Sequence, residues 1–335
     1  QSFLITEQAK QTITIQQLEK TGSEMQRSGA YTLNVTEKGI RIGICDDRSL
    51  FYAAQTLSQL IKDEKKLPVC TIWDYPDIVF RGVVEGFYGT PWSFENRVEQ
   101  LRFYGRMKMN TYIFGPKDDP YHRSPYWRIP YPEDQAKNIR ELLAEAKRNK
   151  VDFVWALHPG MDIRWNNADR QAAIKKLESM YDLGVRAFAV FFDDIEGDGT
   201  DAAKQAAFMN YLKQEFVDRK GDIRQLILCP TEYNKDWAKT DYLDILGEQL
   251  DPFIHIMWTG DKVVSDITHE GLEWVNKRIK RPCYVWWNFP VNDYCLAHLL
   301  MGPVYGLDKN TASDMYAFVS NPMEFAEASK VALWS

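Results

Sequence analysis

From Phe80 to the end of the chain, short apolar segments alternate with longer amphipathic ones, and this alternation limits the possible folds more than any other feature. The short segments are rich in Val, Ile and Phe and predict strands, while the longer ones carry apolar residues at helical spacing. The predicted strands lie at 80–87, 111–115, 151–158, 185–192, 225–230, 253–258, 283–288 and 314–319. The predicted helices lie at 93–107, 134–149, 168–183, 202–218, 240–249, 268–279, 293–300 and 323–333.

Eight strand–helix pairs in succession predict an α/β fold of the (β/α)8 TIM barrel type, which typically takes about 250 residues. The alternative is an open doubly wound sheet, in which a GxGxxG phosphate loop follows the first strand. The first predicted strand runs instead into Glu-Gly-Phe-Tyr-Gly at 85–89, so the closed barrel is favoured.

The residues before the barrel have a different pattern, which predicts a small α+β domain. Alternating apolar residues indicate three strands, and a segment with helical spacing follows them. The strands are predicted at 12–18, 30–37 and 40–45, the helix at 49–64 and a linker at 74–77. We therefore predict two domains, at residues 1–77 and 78–335.

Composition narrows the possible classes of function. The net charge of −6 argues against nucleic acid as the main partner. No apolar run approaches the roughly 20 residues that span a membrane, so we expect no membrane span. The five cysteines and five histidines show neither CxxC nor HExxH spacing, and we expect neither a metal nor a cofactor. The chain starts at Gln1 rather than Met, and we expect this start to be processed or trimmed.

A barrel of this kind requires polar residues where the strands end, because its active site lies at the C-terminal rim. Polar residues follow all eight predicted strands. The segments are 85–89, 115–119, 158, 193–194, 231–234, 258–261, 286–293 and 320–322. Amide, carboxylate and aromatic groups around one mouth suit a polyhydroxylated ligand.

Two adjacent acids, Asp193 and Asp194, follow the fourth barrel strand and are the main catalytic candidates. Adjacent carboxylates can have distinct environments, so that one stays charged while the other stays protonated. Three other interpretations are open: exposed strand caps, a helix cap, and a calcium loop that begins at Asp194. Asp201 is better placed for the helix cap, and the calcium loop has Gln205 where a bidentate Glu is needed.

The predicted barrel carries four long motifs: RGVVEGFYGTPW at 81–92, NTYIFGPKDDPY at 110–121, FDDI at 192–195 and WWNFP at 286–290. Together they resemble glycoside hydrolase family 84, over the whole barrel. The small leading domain is similar to that of bacterial members such as the Bacteroides enzyme. Those homologues continue past the point where this chain stops, so the resemblance implies a trimmed catalytic core. It also implies a secreted or periplasmic bacterial protein.

The resemblance implies a retaining β-N-acetylglucosaminidase, an O-GlcNAcase that removes O-linked GlcNAc from Ser and Thr of glycopeptides. In this family the 2-acetamido oxygen of the sugar is the nucleophile, and an oxazoline intermediate forms. By resemblance, Asp193 accepts the acetamido N–H, while Asp194 donates a proton to the leaving oxygen and then acts as base. Tyr233 corresponds to the phenol that bonds the attacking oxygen. We expect Asp194 to be the neutral acid, because its negative neighbour and partial burial favour that form.

The same resemblance implies substrate-binding roles for further residues. The walls of the acetamide methyl pocket correspond to Trp286, Cys229 and Thr259, and Tyr88 lies beside the scissile bond. The residues that correspond to hydroxyl contacts are Gly86, Lys117, Asn288, Asp293 and Asn321. For each of these residues the alternative interpretation is a purely structural role at the end of a strand. For Cys229 this alternative is ordinary packing of a small side chain.

Two other functions stay open at this point. One is a hexosaminidase that acts on hyaluronan-like or other glycans, and the other is a non-catalytic GlcNAc-binding barrel. The intact acid pair and Tyr233 favour an enzyme. In each case the expected partner is a GlcNAc-bearing glycopeptide or glycan.

Overall fold

The structure is a computed structural model that describes residues 12–18, 22–61 and 67–334. The chain divides into two compact units, one comprising residues 1–79 with 105–108 and the other residues 80–104 with 109–335. We retain the domain boundary after residue 77 as a proposal. The first eleven residues of the predicted small domain and the predicted helix end at 62–64 lie outside the described residues.

The first unit contains a sheet that packs against helix α1 (Asp47–Leu60). Its strands are β1 (Thr12–Gln17), β2 (Tyr31–Thr36), β3 (Gly39–Ile44) and β4 (Cys70–Asp74), in the order β1-β3-β2-β4. A capping box between Asp46 and Ser49 starts α1, because each side chain bonds a backbone N–H of the other residue. Tyr52 and Leu57 of α1 share an apolar core with Leu33 of β2.

Strand β4 differs from the prediction, which placed only a linker at 74–77. Cys70, Ile72 and Asp74 are half-buried, whereas Thr71 and Trp73 between them are exposed. The strand is five residues long and contains two polar residues, so the alternation in its sequence is a weak signal. Its pairing with β2 supplies the stabilisation that the local sequence does not.

The second unit is a closed barrel of eight parallel strands, which confirms the predicted fold class. Each strand pairs with the next, and β12 closes the barrel on β5 through pairs from Ala317–Phe80 to Ser320–Val83. The strands are β5 (Phe80–Glu85), β6 (Thr111–Phe114), β7 (Asp152–Leu157), β8 (Ala187–Phe191), β9 (Gln225–Cys229), β10 (Ile254–Trp258), β11 (Cys283–Trp287) and β12 (Met315–Ser320).

The barrel interior is a packed core, in which the small Ala187 and Ala189 combine with the large Tyr284 and Trp286. Because side chains fill the interior, a ligand cavity can form only at a rim.

Helices connect most of the strands and lie close to the predicted positions. They are α2 (Phe94–Arg106), α3 (Glu133–Arg148), α4 (Asn167–Leu183), α5 (Ala202–Leu212), α6 (Asp218–Lys220), α7 (Tyr242–Gln249), α8 (His269–Ile279) and α9 (Ala326–Leu333). A π-helical turn at Lys213–Val217 joins α5 to α6. As predicted, Asp201 caps α5 by accepting the Lys204 N–H, so the acid pair is not the helix cap.

The helix predicted at 293–300 is wrong, because this segment forms isolated turns. Cys295 N–H donates to the Asn292 carbonyl and His298 N–H to the Cys295 carbonyl, each at 2.9 Å. The apolar residues that produced the helical pattern do not face a core, and Leu296 is 71% exposed. Without a packed apolar face, a short helix lacks its main source of stability.

Stability of the barrel should decrease in acid, partly because of His255 on β10. Its ring stacks on Tyr316 with centroids 3.5 Å apart, and burial lowers the pKa of His255 to about 4. In the unfolded chain His255 takes up a proton near pH 6.5, whereas in the folded barrel it does so only near pH 4. The contribution of the neutral ring to the free energy of unfolding is therefore fully present above pH 6.5 and is lost as the pH falls towards 4.

We expect His255→Phe to keep the stacking and to make the decline in unfolding free energy between pH 6.5 and 4 shallower, by up to about 1.4 kcal/mol per pH unit. Urea unfolding at several pH values measures this slope. Tyr316→Phe, which leaves the imidazole in place, is the control and should keep the parent slope. Equal slopes for the parent and His255→Phe would contradict the prediction.

Candidate active site

One cavity of about 300 Å³ opens at the C-terminal rim of the barrel, and every site residue proposed from the sequence lines it. These residues are Gly86, Tyr88, Lys117, Asp193, Asp194, Cys229, Tyr233, Thr259, Trp286, Asn288, Asp293 and Asn321. They come from segments up to 235 positions apart, and closure of the barrel brings them together. The size of the cavity is at the lower end of the usual range for small-molecule sites.

Asp193 is the buried member of the acid pair, with a side chain only 6% exposed. Its Oδ2 accepts a short hydrogen bond from the Lys117 ammonium. Burial alone would raise the pKa of Asp193, but the positive charge of Lys117 outweighs burial and lowers the pKa to about 2. Oδ1 is buried and has no hydrogen-bond partner among the described residues. Asp193 is therefore a buried, charged hydrogen-bond acceptor in the wall of the cavity.

Lys117 follows β6 and is as buried as its partner Asp193. Burial alone would lower the pKa of Lys117, but the Asp193 carboxylate outweighs burial and holds the pKa above its usual range. The ammonium lies 5.1 Å from the ring centroid of Tyr88 and 6.0 Å from that of Trp286. These contacts keep a positive charge at the base of the cavity.

Asp194 is the more accessible acid, with a side chain 30% exposed. Its Oδ2 accepts the Tyr88 hydroxyl and its Oδ1 the Tyr233 hydroxyl, both at 2.8 Å. The backbone of Asp194 is left-handed, with φ at 53°. This conformation costs a non-glycine residue about 1–2 kcal/mol. Asp194 Oδ2 also lies 3.8 Å from the Lys117 ammonium, farther than the short bond that Asp193 makes to it. The two acids consequently have different surroundings.

Trp286 forms one wall of the cavity, and Gly86 makes room for its indole. A Cβ at Gly86 would overlap the indole, lying 2.6 Å from Trp286 Cη2. Cys229 and Thr259 are buried and complete this side. Burial raises the pKa of the Cys229 thiol, so the side chain is a small neutral apolar group.

Next to Trp286, the cavity is lined by an amide network that is mostly engaged within the protein. Asn288 Oδ1 accepts the Trp286 indole N–H at 2.9 Å and the Asn321 amide at 3.0 Å. Asn321 Oδ1 is buried and has no partner in the described part of the chain. Asp293 Oδ2 accepts the Tyr88 backbone N–H at 2.9 Å. Asn288 thus orients both Trp286 and Asn321.

These geometric observations agree with comparisons with known proteins. Residues 81–335 match the family model described as β-N-acetylglucosaminidase. The chain belongs to this family. The resemblance to glycoside hydrolase family 84 is thereby confirmed. Residues 3–75 match domain 2 of glycosyl hydrolase family 20.

Curated relatives of this β-N-acetylglucosaminidase family member include Protein O-GlcNAcase of Rattus norvegicus and of Mus musculus. Each is 36% identical over 265 residues, which are 75% of this chain and 29% of the relative. The chain therefore spans less than a third of their length.

Solved structures similar to the chain include CpGH84B, with a TM-score of 0.88 and 40% identity over 93% of this chain and 57% of that one. CpGH84D has a TM-score of 0.84 and 33% identity, covering 98% of this chain and 58% of its own. An Asp-to-Asn variant of the Thermobaculum terrenum O-GlcNAc hydrolase has a TM-score of 0.74 and 32% identity. The match covers 77% of this chain and 58% of that one.

Four residues line the cavity of this β-N-acetylglucosaminidase family member although the sequence analysis did not select them. They are Val263, Val264, Val291 and Tyr294. The valines are apolar, and a search for polar rim residues could not find them. Tyr294 fell within the incorrectly predicted helix, and its position directly after the selected Asp293 was the available sequence signal.

Some polar rim residues face away from the cavity. Glu85 is fully buried, and Arg97 of α2 pairs with it, with Nη2 at 2.6 Å from Oε1 and Nε at 3.0 Å from Oε2. Tyr112 donates a short bond to the same carboxylate. Glu85 therefore anchors the end of β5 beside Gly86.

Two further features concern residues 12–18, 22–61 and 67–334. No helix there has both the length and the apolar character that a membrane crossing requires. Likewise, no three His, Cys, Asp or Glu side chains within those ranges come together as ligands for a metal ion.

We expect Gly86→Ala to displace the Trp286 indole, because overpacking at this site leaves no other space for the methyl group. The variant should lose about 1–3 kcal/mol of stability and raise the KM for a GlcNAc substrate. Thermal unfolding and steady-state kinetics measure the two effects. Gly302→Ala is the matched control, since a Cβ there meets no atom within 4 Å. The same KM for both variants would show that the contact between Gly86 and Trp286 does not shape the cavity.

Proposed function

We propose that this chain removes O-linked GlcNAc from Ser and Thr of glycopeptides, with the acetamido oxygen of the substrate as nucleophile. The observation that supports this most directly is the Asp193 carboxylate, a buried and charged acceptor that lines a cavity with largely apolar and amide walls. A charged acceptor of this kind forms a strong hydrogen bond with an amide N–H, which an acetamido group supplies. The rat and mouse relatives are named Protein O-GlcNAcase, which agrees with an O-GlcNAc substrate.

In the first step the acetamido oxygen attacks the anomeric carbon as the bond from that carbon to the Ser or Thr oxygen breaks. The Asp193 carboxylate accepts the N–H and stabilises the positive charge that develops on the forming oxazoline ring. Because Lys117 keeps Asp193 charged, this stabilisation is present at neutral pH. An ordinary retaining glycosidase places its nucleophilic carboxylate on the face opposite the acid, whereas here the two acids are consecutive residues.

Asp194 supplies the proton that the departing oxygen needs, and its partial exposure suits exchange of that proton with solvent. The hydroxyls of Tyr88 and Tyr233 occupy both of its oxygens in the substrate-free structure. When the sugar binds, Tyr233 is free to donate to the acetamido oxygen instead. In the second step Asp194 removes a proton from water, which attacks the anomeric carbon and opens the oxazoline. The two displacements together retain the anomeric configuration.

The wall formed by Trp286, Cys229 and Thr259 accounts for selection of an N-acetyl group. The side chains of Trp286, Thr259 and Cys229 are buried and uncharged, so the pocket they form suits the methyl group of an N-acetyl substituent. Asn321 lines the same cavity and is the proposed contact for a sugar hydroxyl.

The two acids should respond differently to leaving-group acidity. We expect Asp194→Asn to lose about 10²–10⁴-fold in kcat/KM on substrates with poor leaving groups, and much less on an acidic aryl glycoside that departs without a proton. Asp193→Asn should lose activity on both substrates alike, because the Asp193 carboxylate assists the attacking acetamido group and not the leaving group. A series of aryl β-GlcNAc substrates measures this, with thermal unfolding as the control for folding. Parent-like rates in both variants would rule out the proposed function.

The same experiment separates the alternative functions. Faster cleavage of a hyaluronan-like polymer than of aryl GlcNAc or glycopeptide would favour the glycan hexosaminidase. Calorimetric binding of GlcNAc without hydrolysis would favour the non-catalytic barrel.

Loss of the Lys117 charge should move the acid limb of the pH profile. Without that charge, burial dominates and raises the pKa of Asp193, so Asp193 becomes neutral at a higher pH. For Lys117→Met we expect the acid limb of kcat/KM to move upward by about 1–3 pH units. Lys117→Arg retains the charge and should keep the limb near its original position. An unchanged limb in Lys117→Met would refute this electrostatic role.

A further inference from the structure

His158 lies behind the acid pair, immediately after β7, and does not line the substrate cavity. Its side chain is fully buried, and Nε2–H donates to the backbone carbonyl of Asp193 at 3.0 Å. Burial lowers the pKa of His158 to about 4, so the imidazole is neutral at pH 7 and carries one N–H. The other ring nitrogen, Nδ1, is buried and has no partner among the residues described.

The accepting carbonyl belongs to the peptide group that joins Asp193 to Asp194. The orientation of this peptide sets the left-handed φ of Asp194, and thereby the directions in which the two carboxylates point. A left-handed residue other than glycine persists only where its surroundings hold it in place. Among the described residues, His158 provides the side-chain hydrogen bond to this carbonyl.

The same contact leaves Asp193 Oδ1 without a hydrogen bond from His158. His158 Nε2 is 3.6 Å from Oδ1, which is too far for a hydrogen bond, and its single N–H is already directed to the carbonyl. Lys117 engages the other carboxylate oxygen. The imidazole therefore packs against the Asp193 carboxylate without hydrogen bonding to it.

We propose that His158 is a positioning residue for the reaction, which fixes the peptide between the two acids and so keeps the Asp193 carboxylate oriented for the acetamido N–H. This role rests on the proposed function, because it acts through the nucleophile-orienting carboxylate. It is a role in geometry, since His158 itself does not touch the cavity.

Three variants test this role. His158→Leu removes the donor, while His158→Gln restores an N–H, because the Gln side-chain nitrogen reaches the place of the ring Nε2. Thr231→Val is the matched control: Thr231 Oγ1 donates to the Phe192 carbonyl at 2.9 Å, one residue upstream of the peptide in question. Each variant is assayed for kcat and KM on an aryl β-GlcNAc, for thermal unfolding, and for inhibition by a bicyclic thiazoline that mimics the oxazoline.

We expect His158→Leu to lower kcat about 10–100-fold, with a smaller change in KM, because misplacement of reacting groups by an ångström has effects of this size. The inhibition constant of the thiazoline should rise by a similar factor. This constant reports the folded molecules only, so a merely structural role, which lowers the folded fraction, leaves it unchanged. His158→Gln should recover most of both losses, and Thr231→Val should keep the parent inhibition constant.

A parent-like inhibition constant in His158→Leu overturns the inference, and so does an equal rise in Thr231→Val. If His158→Leu does not fold, His158→Asn replaces it, because the shorter amide reaches only the place of Nδ1. Equal inhibition constants for the Gln and Asn variants then overturn the inference. Asp193→Asn is measured alongside: parent-like activity there refutes the proposed function itself, whereas impaired Asp193→Asn with normal His158→Leu refutes only the role of His158.

Discussion

Closure of the barrel between β12 and β5 is the constraint on which the rest of the second unit depends. It joins Ser320 to Val83 in register and forces all eight parallel strands to end at one rim. A parallel sheet that is closed has no free edge, and its interior is filled by side chains. The cavity is therefore at the rim, and its walls come from nearly every strand. Gly86 and Asn321 are distant in sequence but face the same cavity for this reason.

Within that rim, electrostatics assigns different properties to two chemically identical side chains. Asp193 is buried beside the Lys117 ammonium, which outweighs the cost of desolvation and keeps the carboxylate charged. Asp194 is more exposed and is surrounded by phenols. Removing one partner of a buried ion pair usually destabilises a protein by more than the intact pair stabilises it, because an uncompensated buried charge remains. Lys117 and Asp193 are accordingly one functional unit, and neither can be interpreted alone.

The strong local patterns were the ones that sequence analysis interpreted correctly. Barrel strands such as Ala187–Phe191 are continuous apolar runs, which parallel strands buried on both faces produce. The helical pattern at 293–300 failed because apolar periodicity shows what could be buried, not what is buried. Leu296 has the right spacing but faces solvent. The sequence analysis missed strand β4 for the opposite reason. Its alternating pattern is short, and its residues gain their strand conformation from pairing with β2.

The sequence by itself determined the fold class, the collection of polar groups at one rim, the adjacency of Asp193 and Asp194, and membership of the β-N-acetylglucosaminidase family. These follow from periodicity and from ordered motifs, which are properties of neighbouring residues. Only the tertiary structure decided that Asp193 is buried beside Lys117, that Asp194 is left-handed and that His158 donates a hydrogen bond to the peptide between them. The physical reason is that a hydrogen-bond partner is selected by distance in space, and β7 and β8 bring His158 and Asp193 together from positions 35 residues apart.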